Sequence, residues 1–329
     1  MMNNPITAKI DNVTRIRPEQ LSVKPPCPKS VKVEITNRCN YACAFCALST
    51  RKVTDKRDMD WELFTRITRE MREAGVEEIG PFYIGESFAS PHLLVKAIQW
   101  CKRELKFPYV FLTTNGSLAS PVWLREVMEA GLDSLKFSIN AVDGEQFEKL
   151  TSRPAALFWK ALTNLKVARP IRNELKSPCG IYASSIRYSQ EQHERMSKMA
   201  EASITPYVDE WYELPLYQMG IKATETRDRL GFERTHGNPG RIDPSTGLPN
   251  RKSIPCWSVF CEGHVRVDGH LSACCFGADD RFDVGDLNIV SFMDAWNGSA
   301  FQQIRAAHLR ADIEGLSVLE NTMCEVCAA

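Results

Sequence analysis

The sequence predicts an α/β protein: an open, partial (β/α)6 barrel followed by a small Cys-rich module of a β-hairpin and a helix. Strand and helix patterns alternate six times between residues 31 and 220. The composition then shifts to Gly, Pro, Arg and Asp with little periodicity, and a group of cysteines follows. Because six βα units are too few to close an eight-stranded barrel, we expect a parallel sheet that stays open.

These changes divide the chain into four segments. Residues 1–30 are polar and contain several prolines, which predicts an irregular lead-in. Residues 31–220 are expected to form the barrel, 221–255 a long connection and 256–329 the Cys-rich module. Functional side chains are expected on the loops that leave the carboxyl ends of the strands.

The strand predictions rest on short runs of alternating polarity that contain β-branched residues, as in the segment VKVEIT. Turn residues bound several of these runs. The predicted strands are Val31–Thr36, Glu78–Ile84, Tyr109–Thr113, Ser134–Ile139, Gly180–Ile186 and Ile204–Trp211.

The helix predictions rest on apolar residues at helical spacing and on end signals. Trp61, Phe64, Ile67 and Met71 share one face of a helix that Gly75 ends. The other helices predicted for the barrel are His92–Leu105, Pro121–Ala130 behind the N-cap Ser120, Gly144–Leu150, Ala156–Ala168 and Glu191–Ala202.

The Cys-rich module contains one hairpin signal and one helical pattern. Asp268-Gly269, between His264–Val267 and His270–Cys274, predicts a β-hairpin. Phe292–Leu309 predicts a helix near the end of the module.

Composition and charge exclude several classes of function. Lys plus Arg equals Asp plus Glu at 41 each, so no basic excess indicates a nucleic-acid partner. No apolar run approaches the length of a membrane span, and residues 1–9 lack the apolar core of a signal peptide, so we expect a cytoplasmic protein that does not bind membranes. Twelve cysteines are too sparse for a disulfide scaffold in 329 residues, and their close grouping favours metal binding.

The first cysteine group is Cys39-x-x-x-Cys43-x-x-Cys46, directly after the first predicted strand. Three thiolates can hold three irons of a cubane and leave the fourth iron open to a substrate. A zinc site or three buried thiols is the alternative, but structural zinc usually takes four protein ligands. The nearest histidine in sequence is His92.

This loop resembles the signature of the radical SAM superfamily, C-x-x-x-C-x-aromatic-C, in which Phe45 supplies the aromatic residue. The resemblance covers residues 31 to about 211 and implies a six-unit partial barrel. It implies that Cys39, Cys43 and Cys46 bind a 4Fe–4S cluster whose open iron is chelated by S-adenosylmethionine (SAM). One electron then cleaves SAM to methionine and a 5′-deoxyadenosyl radical, which abstracts hydrogen from a substrate.

The same resemblance assigns further residues to SAM. The family's Gly-Gly-Glu-like turn after the second strand corresponds to Ile84-Gly85-Glu86, where Ile84 departs from the pattern. Gly85 and Glu86 are thereby expected to contact the methionine amine, although Glu86 by itself could be an ordinary loop residue. Ser138 and Asn140, after the fourth strand, would contact the ribose and carboxylate, or would simply cap the next helix.

The C-terminal cysteines resemble the shortened SPASM module, known as a twitch domain. That resemblance implies that one cysteine before the hairpin, one after it and a terminal C-x-x-C bind an auxiliary 4Fe–4S cluster. A four-cysteine zinc site would use the same thiolates. Since the sequence stops at Ala329, only one auxiliary cluster is expected. The implied ligands are Cys256, Cys274, Cys324 and Cys327.

Two cysteines of the module, Cys261 and Cys275, remain without a role in that set. Each is either a small apolar filler or a thiol that donates a hydrogen atom to a substrate radical, as an epimerase requires.

Three functions are open. The first is a dehydrogenase that oxidises a C–OH group of a small carbohydrate-like substrate, with the auxiliary cluster as electron acceptor and a flavodoxin or ferredoxin as electron donor. This function resembles that of the 2-deoxy-scyllo-inosamine dehydrogenase-like members, and the absence of a large N-terminal domain favours a small substrate. The second is an epimerase or peptide-modifying enzyme, and the third is a non-catalytic iron–sulfur or zinc protein.

Overall fold

A single sheet runs through both the predicted barrel and the Cys-rich module. The computed structural model describes residues 5–50, 55–217, 240–252, 254–276, 282–312 and 324. Within these residues nine strands form the sheet. They are β1 Ser30–Val33, β2 Glu78–Gly80, β3 Tyr109–Thr114, β4 Ser134–Ser138, β5 Gly180–Arg187, β6 Glu210–Pro215, β7 Glu262–Val265, β8 His270–Ser272 and β9 Asp283–Asp286.

The strand order confirms the predicted parallel array. The sheet runs β6-β5-β4-β3-β2-β1-β7-β8-β9, and every pairing from β6 to β7 is parallel. The hairpin predicted around Asp268-Gly269 forms between β7 and β8, and β9 extends it antiparallel. Because β7 pairs with β1, with Val31 opposite Gly263, the module continues the barrel sheet.

Helices between the parallel strands cover one face of the sheet. In α3, for example, Phe64, Ile67 and Met71 are fully buried, as their helical spacing predicted. The helices are α1 Ile6–Val13, α2 Ala47–Thr50, α3 Trp61–Glu73, α4 Pro91–Gln99, α5 Pro121–Ala130, α6 Gly144–Thr151, α7 Ala156–Leu175, α8 Gln190–Ser203, α9 Ser258–Cys261, α10 Phe292–Trp296 and α11 Ser299–Arg310.

Two strand boundaries differ from the prediction because of proline. β2 ends at Gly80 rather than Ile84, since the following Pro81 has no N–H to donate to a ladder. β6 begins at Glu210 rather than Ile204, because Pro206 lies in a 3-10 turn.

Three helix predictions also need correction. The helix expected at Phe292–Leu309 is two helices, α10 and α11, which separate at Asn297-Gly298. α7 continues beyond Ala168 to Leu175, and α4 passes at Gln99 into one π-helical turn.

The predicted irregular lead-in contains α1, which closes the end of the barrel where the strands begin. Lys9 Nζ lies 3.4 Å from Glu78 Oε1 and 3.7 Å from the centre of the Tyr109 ring, at the first residues of β2 and β3. Ile6 packs against Tyr182 and Tyr212 inside the barrel. The opposite end, where the strands finish, holds the predicted cysteine loop.

No helix among the described residues is both long and apolar enough to cross a membrane.

Candidate active site

The first cysteine loop is fixed by the last turn of α6. Ala42 N donates to Thr151 O at 3.2 Å, and Ala44 N donates to Leu150 O at 2.8 Å. These bonds occupy two of the backbone donors between the cysteines and attach the loop to α6.

A cavity of about 200 Å³ lies at the carboxyl ends of β1 to β4. It brings together every residue that the sequence assigned to the radical SAM cluster and to SAM. These are Cys39, Cys43, Cys46, Phe45, Gly85, Glu86, Ser138 and Asn140. The roles of the individual side chains remain predictions.

Gly85 is required by its closeness to the segment that joins β1 to the cysteine loop. A Cβ at this position would lie 2.0 Å from Thr36 O, a backbone atom that cannot rotate away. Gly85 N lies 3.3 Å from a carboxylate oxygen of the buried Glu34, and Glu86 N donates to Arg38 O at 2.8 Å. The turn after β2 is therefore attached to the residue that precedes Cys39.

The Glu86 carboxylate is buried and held from two directions. Oε1 accepts hydrogen bonds from Thr114 Oγ1 at 2.8 Å and from Phe88 N at 3.1 Å, and Oε2 accepts from Asn115 N at 2.7 Å. Burial raises the pKa of Glu86, and these hydrogen bonds oppose the increase. A carboxylate fixed in this way can receive an amine in a defined direction.

Asn115 connects the end of β3 to the cysteine loop. Its Nδ2 donates to Asn40 Oδ1 at 2.9 Å and lies 4.0 Å from Cys39 Sγ. Asn40 Nδ2 in turn donates to Ser117 Oγ at 2.8 Å. The sequence alone presented Asn115 only as part of a turn, because its partners lie about 75 residues earlier in the chain.

Burial raises the pKa of all three thiols of the cysteine loop. Cys39 reaches about 12, through burial first and then the nearby charge of Glu86. Cys43 and Cys46 shift in the same direction for the same first reason. Thiolates at these positions therefore need cations, which the irons of a cluster supply.

The chemistry of the site fits a 4Fe–4S cluster with an open iron. Three soft sulfur ligands reach one cavity, and the space beside them is bounded by a glycine without a side chain and by a fixed carboxylate. Among the described residues, no three His, Cys, Asp or Glu side chains come close enough together to hold a single metal ion. Cys39, Cys43 and Cys46 would hold the cluster, and Glu86 would face the SAM amine.

Three of the four predicted auxiliary ligands lie among the described residues, and Cys327 lies outside them. His308 connects two of the three. Cys256 N donates to His308 Nδ1 at 3.4 Å, and Nε2 lies 3.9 Å from Cys324 Sγ. Burial lowers the pKa of His308 to about 4, so the neutral ring accepts at Nδ1 and presents Nε2–H to the sulfur.

Tyr83 joins the cavity to the auxiliary module. It is among the residues that line the cavity, and its hydroxyl donates a hydrogen bond to Cys274 O. The Tyr83 ring also lies 5.3 Å from the ring of His264 on β7. One residue therefore both borders the cavity and bonds to the backbone of a predicted auxiliary ligand.

The two remaining cysteines of the module lie in different environments. Cys275 is next to Cys274, and burial raises the pKa of its thiol strongly. Cys261 Sγ instead faces Gln20 Oε1 at 3.5 Å and Arg15 O at 3.9 Å, beneath the lead-in, and it is not among the residues that line the cavity. This position does not favour hydrogen donation by Cys261.

Comparison with protein families matches two regions of the chain. Residues 33–176 match the model of the radical SAM superfamily, and residues 256–328 match an iron–sulfur cluster-binding domain known as SPASM. The chain therefore contains a radical SAM domain and a SPASM domain. It is a radical SAM enzyme with a C-terminal SPASM domain, and its cofactors are SAM, the 4Fe–4S cluster that binds SAM and an auxiliary iron–sulfur cluster.

Two groups of relatives carry out chemistry on nucleotides. The S-adenosylmethionine-dependent nucleotide dehydratase RSAD2 of Oncorhynchus mykiss is 32% identical over 142 residues, 43% of this chain and 38% of that protein. A "Probable GTP 3′,8-cyclase" of Saccharolobus solfataricus is 22% identical over 281 residues, 79% of this chain and 86% of that protein. The first match spans well under half of the relative's length.

Solved structures share the fold at low sequence identity. SuiB of Streptococcus suis bound to S-adenosylmethionine has a TM-score of 0.60 and 15% identity, covering 85% of this chain and 68% of SuiB. BtrN in complex with AdoMet and 2-DOIA has a TM-score of 0.54 and 14% identity, covering 89% of this chain and 92% of BtrN. These radical SAM structures confirm the predicted fold class.

Proposed function

We propose that this radical SAM enzyme is a dehydrogenase that oxidises a C–OH group of a small polar, carbohydrate-like molecule to a ketone. SAM, once bound and reduced, supplies the radical that takes a hydrogen atom from the carbinol carbon. The remaining electron passes to the auxiliary cluster, and the hydroxyl proton passes to a base. A flavodoxin or ferredoxin is the proposed source of the first electron.

The observation that supports this proposal is the position of Tyr83, between the cavity and the backbone of Cys274. A substrate in the cavity would lie against Tyr83, whose hydroxyl is bonded to the backbone of Cys274. An auxiliary cluster held by Cys274 is then separated from the substrate by one side chain, which suits an electron acceptor. A cluster with a purely structural role would not need such closeness to the cavity.

The chain's own residues have distinct roles in this proposal. Cys39, Cys43 and Cys46 hold the first cluster, and Glu86 orients the SAM amine. Ser138 and Asn140 contact the ribose and carboxylate, and the ring of Phe45 bounds the same space. The auxiliary cluster is bound by Cys256, Cys274, Cys324 and Cys327.

The test uses a substrate panel under anaerobic conditions. The reconstituted enzyme receives SAM, a one-electron reductant and sugars or aminocyclitols that carry deuterium on each carbinol carbon in turn. We expect deuterium in 5′-deoxyadenosine together with one equivalent of ketone. Deuterium transfer followed by inversion at the labelled carbon would identify an epimerase and refute the dehydrogenase.

Nucleoside triphosphates and short peptides belong in the same panel because of the relatives described above. Turnover of one of these with no ketone formed from any alcohol would also overturn the proposal. The Cys275→Ala variant tests the alternative in which this thiol donates a hydrogen atom to the substrate radical. A dehydrogenase returns no hydrogen to its substrate, so the variant should keep its activity.

A further inference from the structure

A lysine faces the interior of the barrel directly below the cavity. Side chains two apart on a strand share one face, so Lys136 and Ser138 of β4 both point inward. Ser138 lines the cavity, as does Thr113, the residue opposite Lys136 on β3. Lys136 therefore lies one residue pair below the cavity-lining Ser138 and level with Thr113, and is not itself among the residues that line the cavity.

The nearby carboxylate is already neutralised by other groups. Glu262 on β7 accepts from Lys32 Nζ at 2.7 Å and contacts His264 Nε2 at 2.9 Å. Lys136 has no hydrogen bond or ion pair with any described residue, and its Nζ lies 5.9 Å from the Tyr212 ring centre. Its amine is thus surrounded by protein but keeps its donor and acceptor capacity.

The surroundings also make this amine easier to deprotonate. Burial, and then the charge of Lys32, lower the pKa of Lys136 to about 8, while Glu262 opposes the decrease. Lysines in such positions act as bases near neutral pH.

The other titratable groups that face Lys136 keep their protonation state around pH 8. Burial raises the pKa of Glu262, but the Lys32 ammonium and the His264 ring outweigh burial and lower this pKa to about 2. Burial lowers the pKa of His264. Burial raises the pKa of Tyr182 to about 12 and shifts Tyr212 in the same direction.

We propose that Lys136 is the general base that takes the hydroxyl proton as the substrate alcohol becomes a ketone. This inference rests on the proposed dehydrogenase function. The carbinol C–H bond breaks, and its hydrogen atom forms 5′-deoxyadenosine. The O–H bond then breaks, its proton converts the Lys136 amine to an ammonium, the C=O bond forms, and one electron reduces the auxiliary 4Fe–4S cluster.

The closing experiment separates hydrogen abstraction from proton removal. In Lys136→Met, deuterium transfer from substrate to 5′-deoxyadenosine should persist, whereas ketone formation should fall by about 100-fold or more. Lys136→Arg should be as impaired, because a guanidinium keeps the charge but cannot accept a proton. The exposed Lys160→Met is the matched control and should behave as the unaltered enzyme.

Each outcome bears on one claim. If the unaltered enzyme forms no ketone from any alcohol, the dehydrogenase proposal fails. If it forms ketone and Lys136→Met or Lys136→Arg does so at the same rate, the base assignment fails and the dehydrogenase remains.

A second measurement does not depend on turnover. The holoenzyme, with both clusters oxidised and its lysines labelled with ¹³C at Cε, is titrated by NMR. One resonance should shift with a midpoint of about 8 and be missing from Lys136→Met. Spectra in which the two proteins show the same set of midpoints would overturn the assignment.

Discussion

Replacing Gly85 by alanine tests whether the turn after β2 must approach the segment that joins β1 to the cysteine loop. The new Cβ would lie 2.0 Å from Thr36 O and 3.0 Å from Thr36 C, both backbone atoms. Relief requires the turn and the loop to separate by about 1 Å. Such overpacking destabilises a fold by about 1–3 kcal/mol, and a 1 Å displacement of reacting groups slows catalysis about 100-fold.

The assay has two parts. Urea unfolding, followed by circular dichroism, measures the stability of Gly85→Ala, and anaerobic assays measure 5′-deoxyadenosine formation from SAM. Gly263→Ala is the matched control, because its Cβ would meet side-chain atoms alone, Val31 Cγ2 at 3.3 Å and Phe292 Cε2 at 3.6 Å, and no backbone atom. We expect Gly263→Ala to keep its activity and Gly85→Ala to lose about 99% of its rate. A Gly85→Ala enzyme with unchanged stability and rate would refute the reasoning.

Three further predictions concern the clusters, the interior lysine and the module. Cys39→Ala and Cys256→Ala should each lower bound iron from about eight to about four atoms per chain, while the buried Cys101→Ala keeps all of it. Cys39→Ala should also lose SAM cleavage, whereas Cys256→Ala should keep it and lose ketone formation; ketone at the normal rate would contradict the electron-acceptor role. Lys136→Met should raise the free energy of unfolding at pH 7 by about 1–3 kcal/mol, because the folded-state pKa lies below the unfolded one. That gain is complete below pH 8 and should disappear as the pH rises through 10.5, so an equal gain at pH 7 and pH 11 in urea unfolding would exclude this cause. Arg305→Lys should destabilise the protein by about 2 kcal/mol in thermal unfolding, because the buried guanidinium donates to three carbonyl oxygens that one ammonium cannot serve; an unchanged Tm would argue against it.

The sequence predicted the features that are encoded by neighbouring residues. The spacing of Cys39, Cys43 and Cys46 is local, and so is the turn Gly85-Glu86, and the structure brings all five to one cavity. The alternation of strands and helices is also local, because each pattern depends on the next few side chains.

The predicted strand and helix boundaries were wrong where a proline or glycine ended an element that the hydrophobic pattern would have continued. The apolar run after Glu78 continues to Ile84, but Pro81 lacks the donor that a strand needs, so the ladder stops. The helical pattern of 292–309 is continuous in polarity, yet Gly298 caps a new helix there. In the lead-in, α1 is held by contacts with Glu78 and Tyr109, which no local pattern in residues 1–30 reveals.

By itself, the sequence predicted the candidate ligands, the order of the strands along the chain and the radical SAM and SPASM domains, because these depend on residue identity and short spacing. Only the tertiary structure placed Tyr83 against Cys274, 191 residues away, and set Lys136 beneath the cavity beside an ion pair formed by β1 and β7. Such neighbours are decided by which strands pair and which face each side chain takes. Strand pairing and side-chain direction are fixed together when the sheet curves around one interior, because a shift of the pairing register by one residue would move each side chain from the inside to the outside.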